Sequence, residues 1–252
     1  RLNLTASTPT GAVGAGPRDG KRLLLMVRER ASMRPSLWSE EKHERFTDAG
    51  HWVDRTLLDY VAEAADATPD RTALVDRRGR LTYGELLDAV DDLAAGLADL
   101  GVGAGDVVAH QLPNRNEGAL LHLAALELGA AVNPIVDIYR GSEVRYMLEK
   151  LGTSVYVAPR RYREFDYGEM VLDMAADLPA LDHVVLLDDE GGDSVATAFE
   201  SVLERGREAP APDTEGMAPD DLSLVQFTSG TTGRPKGGMH TENTLLASQR
   251  GQ

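Results

Sequence analysis

One short string near the end of the chain gathers residues suited to holding an anion: Phe227-Thr228-Ser229-Gly230-Thr231-Thr232-Gly233-Arg234-Pro235-Lys236-Gly237. The hydroxyls of Thr228, Ser229, Thr231 and Thr232 are donors, and Lys236 adds a mobile positive charge. Gly230 and Gly233 permit backbone angles closed to other residues, so successive N–H groups can converge on one oxyanion. Pro235 fixes the backbone before the lysine, and Arg234 is read as solvent-facing. Residues 222–227 alternate apolar and polar and predict a strand, whereas 241–250 hold good helix formers and no breaker. Strand, glycine-rich turn and helix together make the layout of a phosphate-binding loop. The Walker pattern does not fit: the glycines stand too close, proline precedes the lysine and glycine follows it. A second string, residues 14–21, fails the same test, with Ala15 where that spacing needs glycine and Arg22 after the lysine.

Other segments must position that loop. Thr56 is placed to cap a helix over 57–67 with Leu57, Leu58, Val61 and Ala65 on one stripe. A strand over 72–76 and a turn at 77–79 follow, and Thr82 with Glu85 forms a capping box for a helix ended by Gly101. Strands are predicted over 107–112, 130–133, 154–157 and 183–187, alternating with helices over 117–128, 142–151 and 167–177. Residues 188–193 read as an acidic turn and 208–219 as a linker into the loop strand. This alternation predicts an α/β fold with a mostly parallel sheet and helices on both faces.

Composition bounds the rest. The 252 residues include no cysteine, which excludes disulfides and thiolate metal sites and makes a reducing cytoplasm the expected compartment. A formal charge of -15 argues against nucleic-acid or anionic-membrane partners, and no apolar run reaches the length of a transmembrane segment. An acidic exterior repels polyphosphates, so a nucleotide site here must rely on local donors and metal ions. His43, His51, His110, His122, His183 and His240 show no metal-ligand spacing along the chain and are read as packing or surface, with His240 alone near the loop. The carboxylates at 91–92 and 188–190 are read as solvated, and Trp52 and Tyr83 as core. Residues 1–34 look like a flexible leader, with Met33 expected as the true start.

The ordered string at 228–237 resembles the T-S-G-T-T-G-x-P-K-G signature of the adenylate-forming (AMP-binding) superfamily, which contains acyl-CoA synthetases, luciferases and peptide-synthetase adenylation domains. A solvated Ser/Thr/Gly turn would not reproduce the whole string. Thr82-Tyr83-Gly84-Glu85-Leu86, Leu112-Pro113-Asn114 and Leu128-Gly129-Ala130-Ala131-Val132-Asn133-Pro134 are similar to further acyl-CoA synthetase segments. Residues 159–167 and 238–241 resemble cyclohexanecarboxylate-CoA ligase-like enzymes. The likeness covers about 41–252, with 35–252 read as the N-terminal part of the AMP-binding large domain, stopping after the phosphate loop.

The resemblance implies carboxylate attack on the α-phosphorus of ATP, then thioester formation with CoA, assisted by Mg²⁺. Thr228, Ser229, Gly230, Thr231, Thr232, Gly233 and Lys236 are then ligands of the β/γ-phosphates, with no acid–base catalyst in this stretch. Glu242 departs from the pattern, standing where many relatives have histidine; it suits a helix N-terminus and would also bring negative charge near the phosphates. Three readings stay open: an acid–CoA ligase of which this is an N-terminal piece, inactive alone; an adenylation domain loading a carrier protein; and a non-catalytic remnant.

Overall fold

The structure, a computed structural model, describes residues 40–189, 196–228 and 235–250. Helix α1 (Glu40–Asp48) leads to α2 (Leu57–Ala67), a small hairpin of β1 (Thr72–Val75) and β2 (Arg80–Thr82), and the long α3 (Tyr83–Asp99). The α/β alternation then runs β3 (Val107–His110), α4 (Asn116–Leu128), β4 (Ala131–Pro134), α5 (Gly141–Leu151) and β5 (Val155–Pro159). After the short β6 (Arg161–Tyr162) and β7 (Phe165–Asp166) come α6 (Tyr167–Ala175), β8 (His183–Leu187), β9 (Thr197–Ala198) and α7 (Phe199–Glu208). The chain returns as β10 (Leu224–Thr228), β11 (Lys236–His240) and α8 (Glu242–Arg250).

The main sheet has seven strands in the order β11-β10-β4-β3-β5-β8-β9, parallel throughout except for the β10–β11 pair. Side chains alternate across it as the pleat requires. Val108, Val132, Val157 and Val185 join a core with α3, α4 and α7, while Val107, Ala109, Tyr156, Leu186 and Phe227 join a second core with α5 and α6. The predicted mostly parallel sheet with helices on both faces is therefore present.

Local signals work where they are strong. Thr56 and Thr82 each accept from the N–H three residues on, and Asp59 and Glu85 reach back to complete both capping boxes. Gly101 ends α3 at φ +86, and its successor Val102 donates back to Leu97 O at 3.0 Å. Trp52 is buried, stacked on Phe46.

Among the elements the sequence analysis did not assign, two bear on how the sheet and its helices pack. Helix α7 lies where the sequence showed no clear pattern, and it crosses α3 with backbones in contact. A Cβ on Gly96 would fall 2.1 Å from Val202 O, and one on Gly206 would fall 1.7 Å from Asp92 O. Strand β11 holds Gly237 and Gly238, which depress strand propensity. It is tolerated as an edge strand, and Gly237 lets it lie against Val225, whose Cγ1 would be 3.0 Å from an added Cβ.

Candidate functional site

Strand β10 pairs along its whole length with β11, from Leu224 opposite His240 to Thr228 opposite Lys236. The phosphate-loop string therefore joins two antiparallel strands, not a strand and a helix. Thr228 and Lys236 face each other at the open end of this hairpin, both exposed, with the Thr228 hydroxyl 3.5 Å from Lys236 O. Ser229, Gly230, Thr231, Thr232 and Gly233 lie outside the described residues.

The hairpin corrects the expected strand–turn–helix layout. Helix α8 begins only after β11 has run back along β10, so its N-terminus sits at the opposite end of β10 from Thr228. Five residues of strand separate Ser223 from Thr228, roughly 16 Å. The positive end of α8 therefore lies away from Thr228 and Lys236. Among the described residues of this string, Lys236 and the Thr228 hydroxyl are exposed at the open end of the hairpin.

Glu242 is corrected with it. Its side chain is 1% exposed, and Ser223 Oγ donates to its Oε1 while the Leu57 N–H donates to its Oε2 at 2.8 Å. His122 Nε2 stands 3.5 Å from Oε1. Burial pushes this carboxyl up, but the hydrogen bonds from His122, Ser223 and the Leu57 N–H outweigh that and hold it below the usual range. The charge is spent at the amino end of β10, where it also faces the first turn of α2. Histidine at this position was the family expectation; here the carboxylate is a structural acceptor that joins α8 to α2.

Around the hairpin mouth, the carboxyl ends of β3 and β4 are braced by buried polar groups. Gln111, fully buried, donates to Val136 O at 2.9 Å and Tyr139 O at 3.0 Å, and receives the Tyr156 hydroxyl at 2.7 Å. Arg140 donates to Asp137 O and Tyr139 O and lies over the Phe165 ring at 4.0 Å. Asn133 donates to Val225 O at 2.7 Å, joining β4 to β10 where their ladder is shortest. The loop over 135–139 is thus held in one shape while Val136 and Ile138 remain exposed. His110 ends β3 nearby; burial, with His122 adding to it, lowers its pKa to about 4, so the ring is neutral at pH 7. Asn133 stood out in the sequence only as part of the 128–134 segment, and Gln111, Tyr156 and Arg140 did not, because a lone polar residue carries no pattern.

Two carboxylates read as solvated lie at the surface and also carry ion pairs. Asp188 accepts from Arg78 at 2.8 Å and Arg115 at 2.6 Å, and Asp92 accepts from Arg207 at 2.9 Å. Arg115 is further held by Glu117. A cavity of about 590 Å³ opens at the other edge of the sheet, lined by Val102, Gly129, Ala131 and residues 212–217. Its charged lining is Asp213, Glu215 and Asp221, and no Lys, Arg or His contributes. A polyphosphate has no partner there.

Residues 61–252 match the family described as AMP-binding enzyme. The chain belongs to that family. It is 32% identical over 243 residues to the medium-chain fatty-acid–CoA ligase of Escherichia coli K12, covering 93% of this chain and 41% of the relative. It is 33% identical to the salicylyl-CoA synthase / salicylate adenylyltransferase of a Streptomyces species, covering 79% of this chain and 36% of that protein. Among solved structures, the apo structure of Mycobacterium smegmatis MbtA superimposes with a TM-score of 0.75 at 27% identity, covering 86% of this chain and 40% of that one. The chain thus spans well under half the length of these relatives. Among its described residues, no helix is long and apolar enough to cross a membrane.

Proposed function

We propose that this AMP-binding chain forms the ATP-phosphate-holding part of an enzyme that activates a carboxylic acid as its acyl-adenylate and passes the acyl group to the thiol of CoA. The observation that carries the reading is the hairpin that sets Lys236 opposite Thr228 at the mouth of the glycine- and hydroxyl-rich loop. In that reading Thr228, Ser229, Gly230, Thr231, Thr232, Gly233 and Lys236 hold the β- and γ-phosphates. The carboxylate oxygen bonds to the α-phosphorus as the bond to the bridging oxygen breaks, and pyrophosphate leaves with the electron pair. Fixed N–H donors and the ammonium stabilise the charge that builds on that leaving group, and Mg²⁺, when bound, shares it. The chain's own acidity makes this local cation necessary, because the long-range field repels the nucleotide.

Residues 35–252 are assigned to the large nucleotide-binding domain, and a reducing cytoplasm to the protein's compartment. The test is ATP–pyrophosphate exchange by the natural protein across a panel of carboxylic acids, followed by acyl transfer to CoA. Acid-dependent exchange supports the reading, and its absence for every acid overturns it. Exchange without transfer to CoA assigns the acceptor to a carrier protein instead.

A further inference from the structure

The amino edge of the sheet holds a second set of chemically competent groups, unrelated to the phosphate loop. His43 on α1, Asp54 in the turn before α2 and Asp220 just before β10 each offer a ligand atom, all within 4.8 Å of one another. The three come from segments far apart in sequence, which is why spacing along the chain does not show them. Asn243 on α8 sits beneath, 1% exposed, and its amide donates to Asp54 Oδ1 at 3.1 Å and Asp220 Oδ1 at 2.9 Å. The same side chain accepts from the N–H groups of Val53 and Asp54, and Asp54 is held at φ 49, a left-handed conformation.

The imidazole supplies the deciding detail. His43 Nδ1 is shut off from solvent and makes no hydrogen bond of acceptable geometry, although it stands 3.1 Å from Asp220 Oδ2. A shielded nitrogen that close to a carboxylate oxygen is bridged by a positive centre, which is either the ring's own proton or a metal ion. Protein ligands at about 2.0–2.2 Å from a tetrahedral metal lie about 3.4 Å apart, close to the 3.1 Å between His43 Nδ1 and Asp220 Oδ2, and the whole set stays within 4.8 Å. Two carboxylates with a neutral imidazole balance a divalent charge, and one fixed amide orienting both carboxylates is the outer-shell support that metal ligands usually have.

We propose that His43, Asp54 and Asp220 bind one divalent cation of the zinc class, oriented by Asn243. The imidazole nitrogen favours zinc-like ions over Mg²⁺, which takes oxygen ligands in octahedral geometry. The ion ties α1 and the turn at Asp54 to the segment entering β10, so it fastens the start of the domain to the strand that carries the phosphate loop. Its role is structural, and it is separate from any Mg²⁺ that travels with nucleotide.

The test uses the chain stripped of metal by chelator and titrated with Zn²⁺ and with Co²⁺. The expected result is one ion per chain, the visible absorption of four-coordinate Co²⁺, and a thermal midpoint that rises with Zn²⁺ concentration and not with equal Mg²⁺. His43→Ala abolishes the cobalt spectrum, and Asn243→Ala weakens binding about tenfold or more. Should Asn243→Ala fail to fold, Asp54→Asn at the exposed ligand serves in its place and also loses the spectrum. The proposal is overturned if the unaltered chain binds no Zn²⁺ or Co²⁺, if the thermal midpoint ignores both, or if His43→Ala binds as the parent does. Any of these makes the His43–Asp220 approach a simple ion pair.

Discussion

The two edges of the central sheet are built from different materials. At the carboxyl edge, Gln111, Tyr156, Arg140 and Asn133 spend their polar groups on holding backbone, and Lys236 and Thr228 stand exposed at the mouth of the β10–β11 hairpin. At the amino edge a cavity of about 590 Å³ is lined by small apolar residues, exposed backbone and acids. The amino edge offers a cavity whose charged lining is acidic; among the described residues the carboxyl edge offers the exposed Lys236 and Thr228. For a ligand carrying several negative charges the second property decides, because burying phosphate without partners costs far more than any gain from filling space. Open α/β sheets place their ligands at the carboxyl ends of the strands for the same reason of loop supply.

The largest expected effect follows from that contrast. Lys236→Ala in the natural protein should slow ATP–pyrophosphate exchange by about a hundredfold or more, the usual loss when a preorganised charge-stabilising group is removed. Lys236→Arg should recover part of it. A Lys236→Ala enzyme with unchanged ATP dependence would move the nucleotide away from the carboxyl edge.

Next in size is a change that touches neither edge. Gly206→Ala drives a methyl group into Asp92 O across the α3–α7 crossing. It should cost about 3 kcal/mol of stability, at the upper end of overpacking effects, because the obstacle is backbone and cannot swing aside. Chemical denaturation measures it. A loss below about 1 kcal/mol, the cost of ordinary overpacking at its mildest, would mean that the helices simply move apart.

These first predictions also show what the sequence could and could not convey. Capping boxes at Thr56 and Thr82, the glycine end of α3 and the valine-rich parallel strands were legible because each is a local pattern. The loop string was legible as an ordered motif. The hairpin was not, since Gly237 and Gly238 argue against a strand and only the edge position beside Val225 explains them. Helix α7 escaped for a related reason: Gly206 reads as a helix breaker until α3 is seen pressed against it. Glu242 was placed correctly at a helix start, but its direction depended on β11 reversing the chain, a tertiary fact. Of the polar braces at the carboxyl edge, Gln111, Tyr156 and Arg140 were invisible because single polar residues carry no spacing.

Glu242→Ala probes the amino edge. It leaves the Leu57 N–H, the Ser223 hydroxyl and His122 without their shared acceptor. The expected loss is about 2 kcal/mol at pH 7, within the range for stranding buried donors. The sign with pH follows from the lowered carboxyl. Its stabilisation is present above the ordinary glutamate pKa and is lost as pH falls through the lower folded value, so parent and variant should converge in acid. A gap between them that is independent of pH would remove the charge from this account.

His110 at the carboxyl edge and Glu127 near the amino edge titrate in opposite senses. His110 is lowered from 6.5 to about 4, so the unfolded chain takes up its proton first and stability falls as pH drops from 6.5 to 4. The ring is partly open to solvent, so about 2 kcal/mol is expected, less than the full shift would give. Glu127, near the amino edge on α4, is raised from 4.5 to about 7 by burial and by Asp91. Its carboxyl folds most favourably when protonated, so that contribution is present below 4.5 and is lost as pH rises to 7. In denaturation series, His110→Phe should flatten the acid limb and Glu127→Gln the neutral limb. The assignment fails if both variants alter the same limb.

The smallest effect is the sharpest check on the contrast between the edges. Thr214→Leu places a larger apolar side chain in the wall of the amino-edge cavity without touching the loop. Because that wall offers a polyphosphate no cation, the substitution should leave ATP–pyrophosphate exchange within about twofold, while loss of the Thr214 hydroxyl that accepts from the Gly216 N–H costs about 1 kcal/mol of stability. A strong rise in the ATP requirement would mean that the large hollow, despite its acids, communicates with the nucleotide. A change confined to the choice of carboxylic acid would instead make the cavity part of the acyl path, and would extend the site from one edge of the sheet to the other.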